Sequence, residues 1–200
     1  VNLIETEKHK FDEKWWSLIS HHFDLNGVIE PIYNNLIELN RKGHKILPNS
    51  SDIFKQFREC KYDDVLVCFL TPEPIISYKQ SLYWQYMNIL IEVDCYDGLF
   101  LDNKENMDYL LPQGVIHLSP SLTYSKDNNH IQVGWQPFIK DCIKHLSNSL
   151  NNIIFVYDDS CIELLDKGNF KRHKIIPLKS GCFIQINEFL KSNYNFKIKW

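Results

Sequence analysis

The common catalytic signatures are missing from this 200-residue chain, and each absence narrows what it does. Its seven glycines form no G-x-G-x-x-G or G-x-x-x-x-G-K-[ST] loop behind an apolar run, which removes the usual nucleotide-binding readings. No G-x-S-x-G elbow and no H-E-x-x-H pair occurs, which removes the familiar hydrolase and zincin readings. The six cysteines, Cys60, Cys68, Cys95, Cys142, Cys161 and Cys182, are scattered without a C-x-x-C pair or a close Cys/His cluster. They read as reduced thiols, several of them in the core, and neither a disulfide framework nor a metal site is expected. No uninterrupted apolar run reaches the roughly 18 to 20 residues that span a bilayer, and the opening VNLIETEKHK has no apolar signal-peptide core. The expectation is an intracellular protein, in cytoplasm or nucleus according to its host, with no membrane segment and no cofactor.

What is present is material for a core and a lopsided charge. Hydrophobic residues make up 44% of the chain and aromatics 14%, enough to bury one substantial interior, so residues 1–200 are expected to form a single domain. The net charge of −3 conceals eight basic residues against one acid, Glu188, between Lys167 and Trp200, which leaves +7 there and −10 elsewhere. Phe170, Phe183, Tyr194, Phe196 and Trp200 are interleaved with those cations. The combination suits a polyanion such as DNA, and it equally describes a solvated lysine-rich tail. Among the eight histidines, His21 and His22 are sequence neighbours on a helical pattern, cannot face one ligand together, and read as surface or boundary residues.

Four short apolar runs have the character of buried strands: VLVCFL (65–70), GVIHLS (114–119), NIIFVY (152–157) and HKIIPL (173–178). Helical patterns lie around them. FDEKWWSLISHHF (11–23) and VIEPIYNNLIELNRKG (28–43) open the chain, with Gly43 as a stop, and SDIFKQF (51–57) follows a Ser/Asp cap. QSLYWQYMNILIEV (80–93), WQPFIKDCIKHLSNSL (135–150), SCIELLDKG and CFIQINEFLKSN complete the set, with Phe138, Cys142, Ile143 and Leu146 along one face of the second. Alternating strands and helices imply a three-layer α/β/α fold around a four-stranded, mainly parallel sheet covered on both faces. Such sheets take ligands beyond the carboxyl ends of their strands. The candidates are therefore Thr71-Pro72-Glu73-Pro74, the stretch from Ser119 to Thr123, Tyr157-Asp158-Asp159-Ser160, and the stretch from Pro177 to Gly181.

The order of the motifs adds a resemblance. LPNSSDIFKQF, YDDVLVCFLTPEP, LLPQGVIHLSPSLT, HIQVGWQPFIKDCI and IPLKSGCF with INEFL succeed one another as the corresponding segments do in the family 1 uracil-DNA glycosylases, from about residue 11 to residue 190. Gln113-Gly114-Val115, Leu122-Thr123, and His130 with Gly134-Trp135 match in spacing as well as type. The resemblance implies a uracil-DNA glycosylase-like fold, and it weakens where that family carries its chemistry. Over the water-activating G-Q-D-P-Y-H loop this chain has Thr71-Pro72-Glu73-Pro74-Ile75-Ile76, so the catalytic aspartate falls on Glu73, one methylene longer. Such a carboxylate moves by more than the tolerance of about 1 Å that catalysis usually allows.

By the same resemblance, the tyrosine that blocks the thymine methyl falls on Ile75, the asparagine that reads the uracil edge falls on Ser119, and Trp84 is a candidate for stacking on the base or for the core. The histidine that supports the departing uracil anion falls on Lys174, beside His173. Strand alternation points those two side chains to opposite faces, so at most one can serve. Leu178 aligns with the leucine that wedges into the duplex, and reads either so or as a leucine closing the core beneath a turn. Lys179 and Ser180 follow it as candidate DNA contacts. Ser119, Ser121 and Thr123 are candidate phosphate contacts, or hydroxyls bonding the local backbone. The prolines flanking Glu73 also have a structural account, as stiffeners that hold the acid outward.

The expectation is a glycosylase scaffold that has lost, or nearly lost, uracil excision and serves as a binding protein for DNA or for a replication or repair protein. The alternative is an active, divergent DNA glycosylase that removes uracil or another damaged base, with Glu73 orienting the water and Lys174 or His173 as electrophile.

Overall fold

The computed structural model describes residues 5–24, 27–74, 108–125, 133–165 and 168–200; the helix expected over 80–93, Ile75, Trp84, Cys95 and His130 lie outside them. Four strands form one sheet: β1 (Val67–Leu70), β2 (Val115–Leu118), β3 (Ile154–Tyr157) and β4 (Lys174–Pro177). Their order is β2-β1-β3-β4 and every pairing is parallel. Each strand falls inside an apolar run foreseen from sequence. Parallel strands buried on both faces need such runs, because alternate residues must satisfy two different cores.

Period-2 alternation divides those residues cleanly. Cys68, Leu70, Ile116, Leu118 and Phe155 point into one cluster, which is completed by α1 (Glu13–Asp24), α2 (Ile29–Arg41), α3 (Lys55–Glu59) and α4 (Gln136–Ser149). Val67, Phe69, Val115, Ile154, Val156 and Ile176 point into the other, covered by α5 (Cys182–Tyr194), Leu110 and the tail residues Ile198 and Trp200. The α/β/α layering follows directly from that division.

Local chemistry sets the helices. Asp12 starts α1: one carboxylate oxygen accepts the Trp15 N–H at 2.8 Å while the other accepts the Tyr62 N–H, joining the helix to the approach of β1. Trp15 is fully buried and donates its indole N–H to the Cys60 carbonyl at 2.9 Å. Pro137 occupies the first turn of α4, where a missing N–H costs nothing, and Phe138, Cys142, Ile143 and Leu146 form its buried face as their spacing predicts. Gly43 follows α2 at φ +88°, consistent with the expected stop. The expected Ser/Asp cap at residue 51 makes no capping hydrogen bond; Ser50–Asp52 is a short 3-10 turn and the helix itself spans only Lys55–Glu59.

His22 corrects the surface reading of the histidine pair. His21 is exposed, whereas His22 is buried against Phe138 and bonds Asp141 of α4 at 2.9 Å through Nε2. Cys60, Cys68, Cys142, Cys161 and Cys182 are buried free thiols. Among the described residues no helix is long and apolar enough to cross a membrane.

Candidate functional site at the carboxyl ends of the strands

The β1 exit is braced by Thr71. Its N–H donates to the Leu118 carbonyl at 3.1 Å, tying the exits of β1 and β2, and its hydroxyl donates to the Glu73 carbonyl at 2.9 Å. With Pro72 and Pro74 fixing φ on either side, the turn holds Glu73 exposed in solvent.

The β2 exit is a ladder of hydroxyl turns. Ser119 donates its hydroxyl hydrogen to the Ser121 carbonyl and accepts the Ser121 N–H at 3.2 Å. Ser121 repeats the pattern two residues on, donating to the Thr123 carbonyl at 2.7 Å and accepting the Thr123 N–H at 3.2 Å. Thr123 then accepts the indole N–H of Trp135 at 2.9 Å. All three hydroxyl residues are buried, and the hydroxyls of Ser121 and Thr123 are engaged in internal hydrogen bonds rather than turned to solvent. An antiparallel bridge between Leu47 and Tyr124 pins the outer edge of this loop.

The β3 and β4 exits carry charge. Asp158 accepts the N–H and hydroxyl of Ser160 at 2.9 and 2.5 Å. Asp159 pairs with Lys179 at 3.2 Å, both well exposed. Leu178 is half-buried and packs on the α5 side of the core, while Lys179 and Ser180 are exposed. Only residues 178–181 separate β4 from α5, with Gly181 at φ +80° making the turn.

His173 and Lys174 are not at this end. The register sets Lys174 level with Ile154 and Val67, at the amino ends of the strands, and Pro177 level with Tyr157 and Leu70 at the carboxyl ends. Three residues of strand, about 10 Å, separate Lys174 from the level at which β1 ends. Glu73 lies further out still. His173 is also fully used: Nδ1 accepts the Ile153 N–H at 3.2 Å and Nε2–H donates to the Ser147 carbonyl at 2.8 Å. This register sets both residues apart from the β1 exit that holds Glu73. Pro177 resembles a proline of the H-P-S-P-L-S loop, but four residues after β4 leave no room for that loop beyond the strand.

A cleft of about 600 Å³ lies elsewhere, between α1 and α4, lined by Lys14, His21, Tyr62, Asp141 and His145 among others. No group of three or more His, Cys, Asp or Glu among the described residues could hold a metal. His117, in the middle of β2, stacks on Phe69 at 5.0 Å, and burial pushes its pKa down to about 3. It is neutral at physiological pH.

No family model matches the chain. Curated relatives do. The uracil-DNA glycosylase of Campylobacter hominis is 28% identical over 98% of this chain and 91% of its own length. Those of Campylobacter fetus and Fusobacterium nucleatum are 26% and 24% identical, over 98% and 96% of this chain and 92% and 96% of their own. In fold, the crystal structure of mimivirus uracil-DNA glycosylase superposes with a TM-score of 0.79 at 16% identity, covering 96% of this chain and 88% of that one. This chain is a relative of the uracil-DNA glycosylases.

The residues that carry the glycosylase resemblance in sequence have structural work. Gly114 sits at φ +80°, and a Cβ there would stand 2.3 Å from the Asp64 carbonyl oxygen, so no larger residue fits. Gln113 clasps the tail, donating to the Lys199 carbonyl at 3.1 Å and accepting the Lys199 N–H at 2.8 Å. Trp135 locks the β2 exit from the start of α4. Sequence reasoning missed the His22–Asp141 contact and the Gln113–Lys199 clasp; their partners lie 119 and 86 residues apart.

Proposed function

We propose that this glycosylase relative binds DNA and has lost, or all but lost, base excision. The observation that carries the reading is the sheet register that holds His173 and Lys174 at the far end from Glu73. Glycosidic hydrolysis by the family's route, as the resemblance implies it, needs a carboxylate beside the attacking water, a donor toward the departing base anion, and an amide pair to read the base. Glu73 can supply the first. Lys179 is the cation of the β4 exit, and it is paired with Asp159. Ser119 has one hydrogen to donate, already committed to Ser121, and offers the base no amide pair.

DNA as the partner is supported by the naming of the curated relatives as uracil-DNA glycosylases. A replication or repair protein is the accompanying partner in this reading. At the carboxyl end Lys179 and Ser180 are exposed, Leu178 closes the core, and Ser121 and Thr123 shape the loop.

The names of the relatives also favour a second reading, residual excision with Glu73 orienting the water. A uracil-release assay on a single-stranded oligonucleotide separates the two. The expected result is no uracil released above background while the oligonucleotide is bound. Release that Glu73→Ala abolishes would overturn the proposal in favour of an active enzyme.

A further inference from the structure

The cations that crowd the last part of the chain do not gather where such sheets take ligands. Hydrogen bonds fix where they go. The Asn152 N–H donates to the Arg172 carbonyl at 2.9 Å, which holds Lys171 and Arg172 beside the start of β3, and Lys174 opens β4 level with Ile154. Tyr194 donates its hydroxyl to the Asn151 carbonyl at 3.0 Å and brings the last turn of α5, with Lys191, to the same edge. The Gln113–Lys199 clasp holds Lys197 and Lys199 beside the start of β2.

Six cations thus surround the amino ends of β2, β3 and β4: Lys171, Arg172, Lys174, Lys191, Lys197 and Lys199, all exposed. None pairs with a described carboxylate; Arg172 donates to the Asn148 carbonyl at 2.7 Å, at the end of α4. Of the acids near that end, Asp63 and Asp64 precede β1, with Asp63 held by Lys14, and Asp108 opens the 3-10 turn that leads into β2. Glu188, the one acid of the stretch, lies mid-helix in α5. Among the described residues the carboxyl ends have the opposite sign, with Glu73, Asp158 and Asp159 against a Lys179 already paired. A phosphate chain is repelled there and attracted at the amino ends.

We propose that single-stranded nucleic acid is held on this amino-end surface, with phosphates on the lysines and bases stacked on the exposed rings of Tyr194 and Phe196. Those rings are 41% and 37% exposed. Lysines interleaved with exposed aromatics suit an unpaired strand, whose bases offer their faces. The inference rests on the reading of the protein as a DNA binder, and places that binding on a surface other than the exits that hold Glu73 and Lys179.

Fluorescence anisotropy of a labelled oligothymidylate, titrated across salt, tests it with the full chain. The double variants Lys171→Glu/Lys174→Glu and Lys197→Glu/Lys199→Glu are each expected to weaken binding at least about tenfold. Each should flatten the log K against log salt slope by about 0.7 for every phosphate the variant no longer neutralises. Phe196→Ala is expected to weaken binding with the slope unchanged, and Lys179→Glu to leave it nearly unaffected. Binding that survives both double variants and fails with Lys179→Glu would overturn the inference and leave the DNA reading standing. Absence of binding by the unaltered protein at low salt would overturn both. Capture by phosphatidylserine vesicles without oligonucleotide binding, abolished in the same double variants, would reassign the surface to a membrane and also overturn it.

Discussion

Gln113 and Lys199, 86 residues apart, hold each other by two hydrogen bonds, the side-chain amide of one reading both the N–H and the carbonyl of the other. The clasp seats Ile198 and Trp200 against Phe69 and Phe183, so the α5 side of the core is closed by the last residues of the chain. Gln113→Ala removes both bonds and is expected to destabilise the fold by about 1–3 kcal/mol. Urea denaturation followed by tryptophan fluorescence measures it. An unchanged midpoint would show that the tail is held by burial of Trp200 alone.

Thr123 and Trp135 form a second test. Thr123→Val keeps the shape and removes the acceptor, leaving a buried indole N–H without a partner, at an expected cost of about 1–3 kcal/mol. Trp135→Phe removes the donor together with part of a fully buried ring that packs on Phe54 and Phe138. The two together are expected to cost less than the sum of each alone, by about 1 kcal/mol. Strict additivity in a double-mutant cycle would mean the hydrogen bond contributes nothing.

The pH dependence follows from two histidines. Burial pushes His117 down to about 3, and burial, partly offset by Asp141, lowers His22 below its ordinary 6.5. Both fold as neutral rings, so the unfolded chain binds the extra protons. Stability is therefore complete above pH 6.5 and is lost as the pH falls from there through the lower folded values. Between pH 6.5 and 5, His117 alone should remove about 1.5–2 kcal/mol. Thermal melts across that range test the sign, and His117→Leu should flatten the curve. A melting temperature that rises on acidification would refute it.

The four strands were legible because each is a run of branched and aromatic residues cut off by polar turn residues, and a parallel sheet leaves such runs no other place. The helix α4 was legible for a similar reason, since Phe138, Cys142, Ile143 and Leu146 repeat at helical spacing. The position of Lys174 along its strand was not. Nothing in HKIIPL states which residues are opposite Leu70, and matching its proline to a family loop placed a strand-opening lysine at the strand's exit. Pairing register is a property of two chains of atoms side by side, and it appears in neither segment alone. His22 eluded the reading for a related reason: adjacent helix residues point about 100° apart, and which of the two meets Asp141 depends on how α1 is rolled against α4.

The buried thiols sit on both sides of the sheet, Cys182 on the buried face of α5, and Cys68 of β1 and Cys142 of α4 in the core of the other helical layer. Burial raises all three pKa values, Cys182 to about 12, so none presents a reactive thiolate while its layer stays closed. Alkylation followed by peptide mass analysis therefore works as a pair of built-in clocks. The order in which Cys182 and Cys142 become labelled reports which half of the sandwich opens first, without any foreign probe being introduced.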